Sequence, residues 1–193
     1  MLDRAKLYDY VKGHLSLPRF LHTLRTAEMA EILCARFNLP QEEGYVAALA
    51  HDMAREMPAE QVKLIAGEDS FPLLDEERAR PVLLHGRAAA VLLWTIWGEQ
   101  RQSVLDAVRW HTQGHPHMGD LAKVIYIADY IEPGRSHISD DFRQTLLEFE
   151  SLNAMVLEIL KTHFAHLKET RTEISNYALQ LCSLLEERQY AKI

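Results

Sequence analysis

The sequence predicts an all-α fold that forms a single domain. Apolar residues recur at three- and four-residue steps along almost all of the 193 residues, and alternation with β-branched residues is nowhere sustained. Only eight glycines and seven prolines interrupt this pattern, so we expect short loops and extensive regular structure. Apolar residues make up 48% of the chain and charged residues 25%, which is typical of a globular domain and excludes a disordered chain or a disulfide scaffold.

The helical segments follow one another with clear interruptions. The first carries an apolar stripe from Phe20 to Phe37 and is closed by Asn38, Leu39 and Pro40. Gly67 ends a short element that begins near Pro58. The remaining predicted helices span about 41–54, 82–97, 99–111, 121–132, 152–167 and 174–184. We expect eight to ten helices in all and no sheet.

Charge and cysteine content limit the function classes. The net charge of −7 argues against a broad nucleic-acid surface. No apolar run approaches the roughly 18 residues of a membrane span, and the charged N-terminus does not resemble a secretory signal. Cys34 and Cys182 have no partner nearby in sequence, which favours two buried thiols in a reducing compartment. A cytoplasmic location is the expectation.

Two aspartates follow apolar stretches in which a carboxylate is unexpected. Asp52 comes after YVAALAH, and Asp129 comes after KVIYIA. A carboxylate that faces a core requires a cation, several donors or a metal. A salt bridge or a helix end that reaches water would explain either residue alone. The occurrence of two such residues, one of them next to a histidine, favours a metal.

Four histidines lie in similar apolar surroundings on other segments. The candidate ligands are therefore His22, His51, Asp52, His85, His111 and Asp129. Six ligands exceed the need of one ion with an open position, so they predict two ions with one bridging carboxylate. Imidazole and carboxylate donors suit iron, manganese or another transition metal and do not suit calcium. The absence of a thiolate ligand argues against a structural zinc site.

The order of these residues resembles that of the HD-domain metal-dependent phosphohydrolases. The closer resemblance is to the YqeK family of symmetrical bis(5′-nucleosyl)-tetraphosphatases. Four stretches carry it: RFLHT, LAHDMAR, LLHGRAAA and AVRWHTQGHPHMGDLAKVIYIADYIEPGR. The resemblance implies one helical HD-type domain over 1–193, with its motifs at about 19–135 and the C-terminal helices completing it. It also implies a binuclear core site, often with iron in divalent or mixed-valence form, and hydrolysis of diadenosine tetraphosphate to two ADP.

The same resemblance implies residue roles. His22, His51, Asp52 and Asp129 would surround one ion, and Asp52, His85 and His111 the second, so that Asp52 bridges. Asp52 and Arg55 would serve catalysis. The positive charge of Arg25, Arg55 and Arg135, rather than the resemblance, makes them the expected phosphate contacts, and Arg55 is favoured because it follows the His-Asp pair by three residues. His115 is a further expected substrate contact. The turn Thr112-Gln113-Gly114-His115-Pro116 departs from the family's Thr-Ser-Gly-Arg-Pro and lacks its arginine.

Two other functions remain open at this stage. One is an HD-family nucleotidase or dNTP phosphohydrolase with the same metals. The other is a nucleotide-binding regulator without catalysis, against which the complete ligand set argues. The partner expected from the resemblance is a nucleotide or dinucleoside polyphosphate, with no nucleic acid and no membrane, and a homodimer is left open.

Overall fold

The computed structural model describes residues 2–190, and its side chains are described for residues 2–188. The all-α prediction is confirmed, since the described part of the chain contains eleven α-helices, one 3₁₀ turn and no strand. The ends of the predicted domain at residues 1 and 191–193 lie outside the described residues. The helices are α1 (Arg4–His14), α2 (Leu17–Arg36), α3 (Gln41–Ala50), α4 (Ala59–Ala66), α5 (Asp75–Ala79), α6 (His85–Thr95), α7 (Gln102–Trp110), α8 (Asp120–Ile131), α9 (Asp140–Glu148), α10 (Leu152–Glu169) and α11 (Asn176–Tyr190).

Three helices were not predicted from the sequence, and each buries very little. Helix α1 buries only Leu7 and Val11, α5 buries only Glu77, and α9 buries only Leu146. So few buried residues leave no apolar stripe for the three- and four-residue pattern to reveal. The predicted helix 82–97 also begins differently, as a 3₁₀ turn over Pro81–Leu84.

Helix α8 forms the centre of the molecule. Nine of its 12 residues are buried, and it packs against α2, α3, α7 and α10. Ile125, Ile127 and Ile131 are completely buried, and each such side chain contributes about 1.5–3 kcal/mol through removal from water. The surrounding helices are therefore held in fixed positions around α8, whose C-terminal half carries Asp129.

The predicted helix over residues 41–54 ends earlier than expected, at Ala50. Residues 51–56 form hydrogen-bonded turns instead, in which the Met53 N–H donates to the Ala50 carbonyl at 3.1 Å. Neighbouring side chains in such turns are not held to the 100° separation of a continuous α-helix. Both residues can therefore face the same point.

The cysteines and helix lengths bear on two further expectations. Cys34 is a buried free thiol, and Cys182 is also free but only half-buried, so the prediction of two buried thiols is wrong for Cys182. It lies on α11, which packs against the surface of α10.

Within the part of the chain that the structure describes, no helix is long and apolar enough to cross a membrane.

Candidate metal centre

Four histidines and two aspartates meet at one point between α2, α3, α6, α7 and α8. All are buried except Asp129, whose side chain is 21% exposed. The structure therefore brings together all of the candidate ligands that the sequence suggested: His22, His51, Asp52, His85, His111 and Asp129.

The two carboxylate oxygens of Asp52 face different histidines. Oδ1 lies 3.2 Å from Nε2 of His85 and 3.8 Å from Nε2 of His111. Oδ2 lies 3.4 Å from Nε2 of His51 and 3.7 Å from Nε2 of His22. One carboxylate thus connects two groups of nitrogen donors, which is the geometry that a bridging ligand needs.

Asp129 completes the group on the Oδ2 side. Its Oδ1 atom lies 3.0 Å from Nε2 of His22 and 3.7 Å from Nε2 of His51. His22, His51 and Asp129 form one set of potential ligand atoms within 4.8 Å of one another, and His51, Asp52 and His111 form a second. The two sets share His51, so the two halves of the centre are contiguous.

Three of the histidines are oriented by the helix ends on which they lie. His51, His85 and His111 each follow directly after a helical stretch, where carbonyl groups lack a partner within the helix. Each Nδ1–H donates to the carbonyl three residues earlier, with N···O distances of 2.5 Å (His51 to Ala48), 2.6 Å (His85 to Val82) and 2.8 Å (His111 to Val108). Because Nδ1 carries the proton, Nε2 presents a lone pair to the centre.

The fourth histidine, His22, is oriented by Glu132, for which the sequence pattern indicated no role. Glu132 is 1% exposed, and its Oε1 accepts from Nδ1 of His22 at 3.1 Å. Arg25 Nε and the Gly134 N–H donate to Oε2 at 2.5 and 2.6 Å. Burial raises the pKa of Glu132, but the hydrogen bonds from Arg25 and His22 outweigh it, so the pKa lies below its usual value and the group stays ionised.

The donor atoms at the centre fit a metal. Nε2 of His22 and Nε2 of His51 are buried and have no hydrogen-bond partner. Burial lowers the pKa of His111 to about 3, so this ring is neutral near pH 7. Burial alone would raise the pKa of Asp129, but the neighbouring His22 and Arg135 lower it, so the group is a carboxylate. The centre therefore offers buried nitrogen and oxygen donors of the kind that a transition-metal ion binds.

Close packing of α6 on α7 places His85 beside His111. Gly86 directly follows His85, and a Cβ added there would lie 2.9 Å from the Val108 carbonyl oxygen and 3.0 Å from Cε1 of His111. Only glycine allows this approach, and the Val108 carbonyl is the group that orients His111. Thr112 adds a hydroxyl at 3.2 Å from Nε2 of His85.

A buried ionic network connects residues of α6 and α7 to the segment before α5. Arg87 on α6 is 1% exposed and donates to Asp69 at 2.9 Å and to Glu77 at 2.7 Å. Arg109 on α7 donates to the other oxygen of Asp69 at 3.0 Å, and Gln113 donates to Glu77 at 3.1 Å. Arg87 and Gln113 each lie two residues from a candidate metal ligand, so the network connects the loop before α5 to the backbone around the centre.

The predicted substrate contacts lie in three different surroundings. Arg25 pairs with Glu132, and Arg135 donates to the Asp129 carbonyl at 2.8 Å and to its carboxylate. Arg55 is half-buried, and within the described residues its side chain has no hydrogen bond or ion pair. The arginine that contacts Asp52 is Arg19, which the sequence did not suggest and whose Nη1 lies 2.9 Å from Asp52 Oδ2. The one sequence feature that could have identified Arg19 is its position in RFLHT, three residues before His22.

His115 is buried in an aromatic cluster away from the metal ligands. Its ring stacks on Trp110 at 4.2 Å between centroids and lies 4.8 Å from Tyr177. His115 is 8% exposed, and burial lowers its pKa to about 4. A role in packing therefore explains its surroundings, and it does not line the large cavity at the centre.

That cavity opens directly onto the ligands and has a volume of about 720 Å³. His111 and Asp129 form part of its wall, and Tyr126, Tyr130 and Phe142 provide aromatic surface. Three histidines for which the sequence indicated no role also line it: His137, His163 and His166. The cavity is of the size that small-molecule sites usually have.

Comparison with known proteins identifies the family. Residues 19–134 match the HD domain, so the chain belongs to the HD domain family. HD domain hydrolases bind divalent metals, and the histidine and aspartate groups described above are suited to hold them.

Two curated relatives share an activity in their names. The symmetrical bis(5′-nucleosyl)-tetraphosphatase of Bacillus subtilis is 36% identical over 83% of this chain and 86% of its own length. That of Staphylococcus aureus is 31% identical over 83% of this chain and 81% of its own length. A solved structure from Clostridium acetobutylicum, described as a predicted HD superfamily hydrolase involved in NAD metabolism, has a TM-score of 0.89 at 30% identity. It covers 97% of this chain and 99% of its own.

Proposed function

We propose that this protein hydrolyses diadenosine tetraphosphate symmetrically, to two molecules of ADP. The observation that carries the proposal is the position of Asp52, which connects two sets of potential ligand atoms next to a cavity of about 720 Å³ that is lined by His111 and Asp129. The named activity of the relatives from Bacillus subtilis and Staphylococcus aureus, which each match 83% of this chain, supports this substrate.

The proposal includes two transition-metal ions, with iron the expected metal and manganese an alternative. His22, His51 and Asp129 would hold one ion, His85 and His111 the second, and Asp52 both. When bound, the two ions would supply Lewis-acid activation of water and of the phosphoryl oxygens. Elemental analysis of anaerobically purified protein should give about two ions per chain, and a fully active protein with a single ion would exclude the binuclear arrangement.

The side chains around the centre would bind and orient the polyphosphate. Arg135 lies at the junction of the cavity and the ligands, where its guanidinium can contact non-bridging oxygens. Arg19 places a positive charge 2.9 Å from Oδ2 of Asp52. Arg25 acts through Glu132 on His22, so we assign it a positioning role. The burial of Asp52 and the histidines excludes bulk water from the reacting atoms.

Product analysis in ¹⁸O-labelled water tests this function. Attack at a phosphorus next to the central bridging oxygen should give ADP as the only product, with label in one of the two molecules formed. ATP and AMP would show asymmetric cleavage and contradict the proposal. Rapid release of phosphate or triphosphate from mononucleotides, without cleavage of diadenosine tetraphosphate, would assign the site to a nucleotidase instead.

A further inference from the structure

The metal centre is reached from two sides. The cavity of about 720 Å³ touches it at His111 and Asp129. A second opening of about 380 Å³, which we call the α2 groove, touches it at His22. Arg135 lines both openings. The two openings are therefore adjacent, because they share Arg135 and each is lined by at least one candidate metal ligand.

The two openings differ in chemistry. The cavity offers the rings of Tyr126, Tyr130 and Phe142, which are suited to contact the flat face of a nucleobase. The α2 groove has no aromatic wall beyond the ring of His22. The groove is lined by Ser16, Pro18, Arg19, His22, Arg25, Glu56, Glu132, Gly134 and Arg135.

The α2 groove retains donors for an anion. Within the described residues, the side chain of Arg19 hydrogen-bonds only through Nη1, to Asp52, so its other N–H groups are available to a ligand. Glu56 is occupied by the Ser16 N–H and hydroxyl at 2.6 and 2.7 Å, and Glu132 by Arg25 and His22. Each groove arginine has a carboxylate partner, but a guanidinium has five N–H groups and keeps donors beyond that pair. The first turn of α2 has no acidic residue, and His22 connects the groove to the candidate metal ligands.

We infer that the α2 groove binds the second nucleotide half of the substrate, chiefly through its phosphates. This inference rests on the proposed function. The cavity then holds one nucleoside by its base, and Arg135 contacts the phosphates where the chain passes between the two openings. The two halves of the symmetric substrate are therefore recognised differently. The cavity binds one half through its base, and the α2 groove binds the other half through its phosphates.

Pro18 offers a test that leaves the metal ligands untouched. It is exposed in the first turn of α2 and lines the groove. Glutamate is well tolerated in a first helical turn, where it interacts favourably with the helix dipole. Pro18→Glu should therefore fold normally but place a negative charge where the phosphates bind. Pro18→Gln is the matched neutral control, and both variants should keep the wild-type metal content.

The first measurement counts ADP bound per chain by equilibrium dialysis of the metal-loaded protein. We expect two ADP in the wild type and in Pro18→Gln, and one in Pro18→Glu. Phe142→Leu, which removes an aromatic ring from the cavity, should weaken the other binding event. A single ADP per wild-type chain, or two ADP in Pro18→Glu, would overturn the inference.

The second measurement is the steady-state kinetics of diadenosine tetraphosphate cleavage. Pro18→Glu should raise KM about tenfold or more relative to Pro18→Gln, with little change in kcat. Equal KM values in the two variants would contradict the groove assignment. A wild type that binds two ADP but does not cleave the dinucleotide would contradict the proposed function alone, because the binding count needs no turnover.

Discussion

The Nε2 atoms of His85 and His111 lie 3.0 Å apart, while the Nδ1 atom of each ring donates to a backbone carbonyl. Burial lowers the pKa of His111 to about 3, so this ring is neutral near pH 7 and its Nε2 directs a lone pair towards His85. A cation bound by both Nε2 atoms and by Oδ1 of Asp52 would use this lone pair.

The first prediction concerns the bridging carboxylate. Asp52→Asn removes the charge that faces both groups of histidines, so it should reduce metal content at both positions and lower turnover by orders of magnitude. The helical circular dichroism should persist, because the substitution keeps the shape of the side chain. Metal analysis and steady-state kinetics on one sample check this. Normal metal content with wild-type kinetics would contradict bridging by Asp52.

The second prediction concerns Glu132, which orients His22. Glu132→Gln should lower metal affinity about 10–100-fold, since it weakens the hydrogen bond that fixes the ring and its basicity. Competition with a chelator measures the affinity. Glu150→Gln, at an exposed position, is the control. Equal affinities in the two variants would show that His22 does not depend on Glu132.

The third prediction concerns the buried ionic network. Arg87→Met removes the arginine that pairs with both Asp69 and Glu77 and leaves the buried Glu77 without an ion pair among the described residues, which should lower the free energy of unfolding by about 3–5 kcal/mol. Arg78→Met, at an exposed arginine, should stay within about 0.5 kcal/mol of the wild type. Urea denaturation compares the two. Similar stabilities would mean that the network carries little net energy.

The fourth prediction concerns the pH dependence of stability. The folded-state pKa of His115 is about 4, below the unfolded value of about 6.5, because burial disfavours the charged ring. The unfolded chain therefore binds the proton more readily. The stability contribution of neutral His115 is complete above about pH 6.5 and is lost as the pH falls towards 4.

Protonation would also displace the His117 N–H, which donates to Nδ1 of His115 at 3.2 Å. His115→Phe keeps the stacking on Trp110 but cannot titrate, so the difference in stability between variant and wild type should change by about 1–3 kcal/mol between pH 7 and pH 4. The other histidines are present in both proteins, so their contributions to the pH dependence of stability cancel in this difference. A difference that is independent of pH would disprove the assignment.

The sequence could predict the ligands because each is anomalous within its own segment. Asp52 and Asp129 end apolar stretches, and the helical period showed where those stretches face the core. Glu132 could not be recognised in this way, since it follows a helix end beside Pro133 and resembles a solvated residue. Its partners Arg25 and His22 lie 107 and 110 positions away in the chain, and only the packing of α2 against α8 brings them together.

The surroundings of the predicted substrate contacts depend on tertiary structure. Arg55 follows the His-Asp pair by three residues, but α3 ends at Ala50, and within the described residues the Arg55 side chain has no hydrogen bond or ion pair. Arg19, from the start of α2, contacts the carboxylate of Asp52. His137, His163 and His166 carry no local signal, because their common surroundings arise only when α10 packs against α8.

The histidines at helix ends also link metal occupancy to local motion. The rings of His51 and His111 are tied to the last turns of α3 and α7, so an ion held by these rings secures those turns against fraying. Removal of the metal by a chelator should therefore accelerate amide hydrogen exchange at these two helix ends before it affects the middle of α8. The bound ions would therefore hold together the ends of two helices that begin far apart in the chain.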